Sequence, residues 1–388
     1  MHLSRARKIL AIVLTAPLGL LALFFGAGWY YSGEIEERAF KVHRDPAPFD
    51  LRVTSIASGR VTLEIPQEGT SRRRWRAPGI WGLESRGTYN QVAAIIDASG
   101  PSLVREFIAL GAPPREGDYV RIDREAYPQD PLVAHGIEFQ DVAVPAALGT
   151  FPAWLTAGDS HTWVIFVHGQ GADRREFLRV LPLFVERGYP TLAITYRNDE
   201  GLPSNERRYY QFGAEEWEEL EAAATFALAA GAQDLILVGY SMGGAIVASF
   251  LHKSELAVRA RGVILDAPAL DLGEITDFGG AQARVLGVPV PGPVTGLAKQ
   301  LTSLRFGVDF DAMNHLQHAG RWSPSTEILL FHGSEDPTVP VSLSDKLAEA
   351  RPDIVEYHRF EGATHVSSWN HDRERYESAV RSFLDRLD

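Results

Sequence analysis

Cysteine is absent from this 388-residue sequence, and methionine occurs only three times. The first absence removes disulfide frameworks, thiolate nucleophiles and cysteine zinc sites, and it also rules out a lipid-bearing cysteine. It is compatible with an oxidising compartment without requiring one. A surplus of positive charge is missing too: 38 basic against 50 acidic residues give a formal charge of −12. That balance argues against binding a nucleic-acid backbone and offers no phosphate-tracking groove. No internal repeat or low-complexity tract is visible. The 23 residues from Ile9 to Tyr31 carry no charge.

At about 1.5 Å per residue that run spans roughly 35 Å as a helix, against a hydrocarbon core of about 30 Å. Arg5, Arg7 and Lys8 precede it, Glu34, Glu36 and Glu37 follow it, and Trp29, Tyr30 and Tyr31 stand at its far end as interfacial anchors. The positive-inside bias then predicts a single membrane helix, with the N-terminus cytoplasmic and the bulk of the chain outside. The alternative is a cleaved signal peptide followed by secretion, although its apolar core normally runs about 7 to 15 residues. Residues 1–33 are accordingly expected to be a cytoplasmic tip and a membrane helix.

Residues 34–135 are expected to form a linker and a small β-rich accessory domain. Val53 to Pro66 alternates around Gly59, with Val61, Leu63 and Ile65 on one face, which is a hairpin signature. Tyr89 to Ala98 and Tyr119 to Arg124 look like strands, and Leu103 to Ala109 suits a short strand or a helix. Arg72-Arg-Arg-Trp-Arg76 lies beside Pro78-Gly-Ile-Trp-Gly82. This basic, aromatic cluster fits an anionic headgroup, or more simply a solvated turn with arginines stacked on Trp75 and Trp81.

From Gly136 the pattern changes. Ile137 to Pro145 and Gly149 to Thr156 form a strand pair, and from Trp163 onward strands alternate with helices. That is the signature of a mainly parallel sheet wrapped by helices on both faces, here over residues 136–388. Residues 271–322 interrupt the alternation. This stretch is apolar, irregular and rich in proline near Gly287-Val-Pro-Val-Pro-Gly-Pro293, and it falls where a lid would cover the strand C-termini. A helix with a proline-rich entry loop is the plainer reading.

The chain is organised around Asp234-Leu-Ile-Leu-Val-Gly-Tyr-Ser-Met-Gly-Gly-Ala-Ile-Val-Ala-Ser249. An apolar strand turns sharply at Gly239-Tyr-Ser-Met-Gly243 and continues as a small-residue helix, the context in which G-x-S-x-G acts as a nucleophile elbow. So tight a corner leaves no room for side chains two positions before and after the serine. The helix N-terminus aims unpaired N–H groups at the same spot, so the Met242 amide suits an oxyanion. Upstream, Thr162 to Val167 is a buried strand ending in His168-Gly-Gln-Gly171. If that loop lies beside Ser241, the Gln170 amide is the second oxyanion donor, and His168 braces the loop.

A serine hydroxyl needs a base, and the base needs a partner that fixes its tautomer. After the elbow, Leu329 to His332 is a strand whose loop carries Asp336, and Tyr357 to Phe360 is a strand whose loop carries His365. The chain here resembles the α/β-hydrolase family of serine esterases, lipases and peptidases. The likeness rests on Val167-His-Gly-Gln-Gly171, Gly239-Tyr-Ser-Met-Gly243, His332-Gly-Ser-Glu-Asp336 and Gly362-Ala-Thr-His365. It covers about residues 137–388. It implies an α/β-hydrolase fold, with Ser241 as nucleophile, His365 as general base and then acid, and Asp336 as the orienting carboxylate.

Several residues compete for these roles. Glu335 adjoins Asp336, and Asp266 also ends a strand. His358 lies within a strand and His371 begins the terminal helix. His315 and His318 have a spacing that suggests metal, but no third ligand accompanies them in sequence. No cofactor or metal is expected. The resemblance implies a carboxylic-ester hydrolase acting through an acyl-enzyme on a small-molecule or lipid ester or amide. Peptidase action and acyl transfer use the same residues, and a catalytically inactive binding module is the alternative of another class.

Overall fold

The computed structural model describes residues 5–42, 48–65, 75–285 and 288–387, with side chains of the first helix from Leu18 onward. Two compact units are present. One comprises residues 42–270 and 315–388, the other residues 1–41 and 271–314.

The larger unit begins with a closed barrel of six antiparallel strands: β1 (Leu51–Ala57), β2 (Arg60–Glu64), β3 (Trp81–Ser85), β4 (Tyr89–Asp97), β5 (Ser102–Ile108) and β6 (Tyr119–Asp123), in the order β1-β2-β5-β4-β3-β6. Ser58 and Gly59, both with positive φ, make the two-residue turn between β1 and β2, the turn type that matches strand twist. The alternation seen in the sequence points Leu51, Val53, Val61, Leu63, Leu83 and Leu103 into a core of their own. Leu103 to Ala109, open between strand and helix, is strand. The strand β3 was not foreseen, because Trp81-Gly-Leu-Glu-Ser85 lacks a clean period of two.

Trp75 of the basic cluster is buried in this core, and the Trp81 indole donates to the Pro78 carbonyl. Arg72, Arg73 and Arg74 lie outside the described residues, and Arg76, the remaining arginine of the cluster, donates to the Ala98 carbonyl at 3.2 Å. Inside the barrel Arg105 is fully buried. Its guanidinium donates to the carbonyls of Trp75, Ala77, Gly79 and Ala93, which satisfies a cation that no carboxylate among the described residues neutralises. Desolvation lowers its pKa to about 10.

An eight-stranded sheet follows, built from β7 (Gln140–Ala146), β8 (Gly149–Thr156), β9 (Thr162–Val167), β10 (Thr191–Ile194), β11 (Asp234–Tyr240), β12 (Ala260–Asp266), β15 (Glu327–Gly333) and β16 (Val355–Phe360). The order is β16-β15-β12-β11-β9-β10-β8-β7, parallel except around β8. After β9 the chain adds β10 on one side, then crosses to add β11 on the other. The carboxyl ends of β9 and β11 therefore form the switch-point crevice where such sheets bind ligands. Between β9 and β10 the chain forms a 3₁₀ turn, Arg174–Arg179, and a short helix, Leu181–Val185, rather than one continuous helix. Pro182 lacks the N–H that a continuous helix would need there.

In the other unit a helix runs from Arg5 to Ile35, where the sequence predicted a membrane helix over Ile9 to Tyr31. Among the described residues no helix is long and apolar enough to cross a membrane, so the expected anchor gains no support from the fold. The insertion supplies helices Leu272–Gln282 and Gly292–Phe306, with a two-residue ladder of β13 (Arg284–Val285) and β14 (Val288–Pro289) between them. Its second helix packs on the N-terminal helix. Arg305 donates to the Trp29 carbonyl at 2.8 Å and to the Ser32 hydroxyl, and its guanidinium stacks over the Trp29 ring. A side chain at Gly28 would meet Leu297 at 2.6 Å. The stretch expected as a lid over 271–322 thus enters this unit only as far as Asn314; His315 onward belongs to the larger unit.

Candidate active site

Ser241 follows the last residue of β11 and precedes the helix Met242–Lys253. Its backbone is strained, with φ 50° and ψ −116°, a region that costs on the order of 1–3 kcal/mol for a non-glycine residue. The corner persists because its neighbours over-determine it. The Ser241 N–H donates to the Asp266 carbonyl at 3.0 Å, and the Ser241 carbonyl accepts from Ala269 at 3.0 Å. A Cβ on Gly239 would come within 2.7 Å of the Gly243 carbonyl oxygen, and one on Gly243 within 2.1 Å of the Val167 oxygen. Both glycines are therefore steric requirements of the turn, as the motif implied.

The sheet brings the remaining groups to the same edge. His365, in the loop after β16, places Nε2 2.9 Å from Ser241 Oγ and Nδ1 2.7 Å from Asp336 Oδ2. Asp336, in the loop after β15, is buried and fully satisfied. Its Oδ1 accepts from the Thr338 and Val339 amides at 2.7 and 2.9 Å, and its Oδ2 also meets His332 Nε2 at 3.2 Å. Burial works against its charge, but His365 and His332 outweigh that and hold the carboxyl below the usual range. In the sequence His332 is only the first residue of a motif, with no role of its own. Its position four residues before Asp336, at the end of a strand, was the available signal.

The loop after β9 lies against Ser241. A Cβ on Gly169 would sit 3.2 Å from Ser241 Cβ, so Gln170 follows directly on a residue in contact with the serine. On the other side, Met242 opens its helix, whose first-turn amides have no acceptor one turn earlier. His168 is buried and braces the loop: Nδ1 lies 2.9 Å from the Gly169 carbonyl, Nε2 lies 3.1 Å from Asp199, and its ring stacks on Tyr196. Desolvation disfavours its charge, yet Asp199 prevails and raises its pKa to about 9.

The competitors lie elsewhere. Glu335 is exposed. Asp266 is buried and touches Ser368 Oγ at 3.3 Å, while His365 Nδ1 is engaged by Asp336; burial pushes the Asp266 carboxyl up to about 7. His358 pairs with Glu356 at 2.6 Å. His315 and His318 do acquire a third histidine that the sequence did not suggest, with the His252 ring 5.6 and 4.3 Å from theirs. Even so, no group of three metal-binding side chains with suitable placement occurs among the described residues. His315 Nε2 lies 2.7 Å from the Phe212 carbonyl, and burial drops its pKa to about 3.

A strained serine above a wound parallel sheet, with an imidazole and a carboxylate in line behind it, defines a class of hydrolase-like sites. The family model of the alpha/beta hydrolase family matches residues 164–379, more than half of the sequence, and the chain belongs to that family. Among solved structures, an esterase from Pyrococcus furiosus is similar at 20% identity and TM-score 0.51, over 65% of this chain and 94% of that one. A puromycin hydrolase is similar at 19% identity and TM-score 0.51, over 86% of this chain and 46% of that one. At such identities the likeness is one of fold. No curated protein matches the chain.

Proposed function

We propose that this chain is a serine hydrolase that cleaves an ester or amide through an acyl-enzyme. One observation carries the reading: a continuous relay from Ser241 Oγ through both nitrogens of His365 to Asp336, at 2.9 and 2.7 Å. His365 takes the serine proton as Oγ attacks the carbonyl carbon, and the carbonyl π pair moves onto oxygen. The amides of Met242 and Gln170 receive that oxyanion. As the carbonyl re-forms, the leaving alcohol or amine departs with the proton from His365. Water then repeats the sequence on the acyl-serine and releases the acid. Asp336 keeps the proton on Nδ1 and stabilises the imidazolium.

The proposed substrate is a small-molecule or lipid ester or amide, with carboxylic esters first. The esterase and puromycin hydrolase relatives agree with that range without narrowing it. The proposed location is outside the cytoplasm, held by Ile9 to Tyr31, and it rests on the charge-free run and the charges flanking it.

A fluorophosphonate probe is expected to label the wild type at Ser241 only, and Ser241→Ala to lower turnover by a factor on the order of 10⁶. Esters of p-nitrophenol with graded acyl chains, run beside peptide amides, locate the substrate class. An unlabelled but folded wild type would return the chain to the inactive binding modules.

A further inference from the structure

The barrel is joined to the catalytic loops by buried polar contacts that the relay itself does not use. Arg179, fully buried at the end of the 3₁₀ turn, donates Nη1 to the Val366 carbonyl at 3.0 Å and to Asn370 Oδ1 at 2.9 Å. Val366 is the residue after His365, and it has a positive φ of 49°, so its geometry is held from outside rather than by local preference. Arg179 Nε donates to the Glu176 carbonyl at 3.2 Å, and its guanidinium lies 5.4 Å from the ring of Tyr240, the residue before Ser241. One cation thus touches the supports of three catalytic loops.

The other two members complete the circuit. Glu176 is buried, and its Oε2 accepts from the Gly169 amide at 2.8 Å, fixing the loop that carries Gln170. Its Oε1 accepts from Arg124 at 3.0 Å, immediately beyond β6. Asn370 is fully buried, and its Nδ2 donates to the carbonyls of Ile80 and Arg124 at 2.8 and 2.9 Å, while its own carbonyl accepts from the Ile80 amide at 2.8 Å. At Gly79, whose φ is +87°, an added Cβ would fall 1.7 Å from the Asn370 oxygen. The barrel backbone therefore presses directly on the short helix Ser368–His371 that follows the His365 loop. That segment is itself pinned from inside the barrel by Arg105.

We infer that the barrel is a built-in clamp on the catalytic centre. Arg179, Asn370 and Glu176 are positioning residues that hold His365 and the Gly169–Gln170 amides in register with Ser241, and Gly79, Ile80 and Arg124 of the barrel segment close the clamp. The inference rests on Ser241 being the nucleophile. Its physical basis is that relay geometry tolerates little displacement, since about 1 Å of misplacement costs on the order of 100-fold in rate.

The discriminating variants are Asn370→Asp and Glu176→Gln. The first keeps shape but turns a carboxylate oxygen toward two carbonyls; the second sets an amide group against Arg124 or Gly169. Active sites in each full-length protein are counted with a fluorophosphonate, and ester turnover is expressed per counted site, with KM measured alongside. The clamp predicts that kcat per site falls about 10- to 100-fold with KM within about two-fold. Residues that serve only the fold would lower the melting temperature and the number of active sites, yet leave turnover per site at the wild-type value. That result in either folded variant overturns the clamp. If the wild type itself is not labelled at Ser241, the serine-hydrolase reading fails and the clamp with it, so the two failures are distinguishable.

Discussion

Replacing Asp336 by asparagine separates orientation from charge, and the hydrogen bonds fix the outcome. Asp336 Oδ1 accepts from two backbone amides, Thr338 and Val339. An asparagine must keep its oxygen there, because turning the amide would oppose its NH₂ to two N–H donors. The NH₂ then occupies the Oδ2 position, facing His365 Nδ1 and His332 Nε2. A donor at that point makes Nδ1 an acceptor and moves the imidazole proton to Nε2, which points at Ser241 Oγ. The base is thereby occupied rather than weakened. Loss of the correct tautomer costs about 10⁴ in kcat, roughly 5 to 6 kcal/mol at about 1.4 kcal/mol per tenfold. Steady-state hydrolysis of a p-nitrophenyl ester reads kcat, and the rate of fluorophosphonate labelling reads nucleophile activation independently. A variant that retains its fold and loses less than tenfold in both would refute the assignment of Asp336 and reopen Asp266 and Glu335.

Two further outcomes are expected. His168 carries a folded-state pKa of about 9 against about 6.5 for a free imidazole, so its contribution is complete below about pH 6.5 and is lost as pH rises through about 9, on the order of 3 kcal/mol. Thermal midpoints measured from pH 6 to 10 should fall across that window in the wild type, and His168→Gln should flatten this part of the curve; an unchanged slope contradicts the pairing with Asp199. For the proposed location, the full-length chain should remain in the membrane fraction after an alkaline wash and be digested by protease added to intact cells. Release of a shortened chain would instead support signal cleavage, and protection from protease would refute the orientation.

The relay was legible because its pieces are local signals that share a position in the wound sheet. Gly239 and Gly243 announce a steric corner, and Asp336 and His365 each follow an apolar strand, so all reach the carboxyl edge once the strands are parallel. What escaped detection depends on pairing across sequence distance. Barrel closure joins Leu51 to Val120, and no local pattern in either strand specifies that partner. Glu176 and Arg179 carry charges of the kind that usually face solvent. They are buried because Arg124, Gly169, Val366 and Asn370 supply the hydrogen bonds that make burial tolerable. Polarity alone does not reveal whether a partner of that kind exists.

The same limit explains the insertion and the first helix, which the sequence presents as unrelated. Gly28 in the charge-free run and Ser32 just beyond it look like ordinary small residues of a membrane helix. In the fold they form the face that receives the Gly292–Phe306 helix. Leu297 occupies the space above Gly28, and Arg305 reaches the Trp29 carbonyl and the Ser32 hydroxyl. On the same helix Leu18, Leu20, Leu21, Leu23, Phe25 and Tyr30 remain exposed, so the run has two faces with different fates. Pro293 lies in the first turn of the insertion helix and Gly307, with φ 64°, ends it, which fixes where Arg305 stands relative to the first helix. Hydropathy averages those two faces into one apolar stretch. The contact resolves them because it depends on which residues are small, and that is a matter of shape.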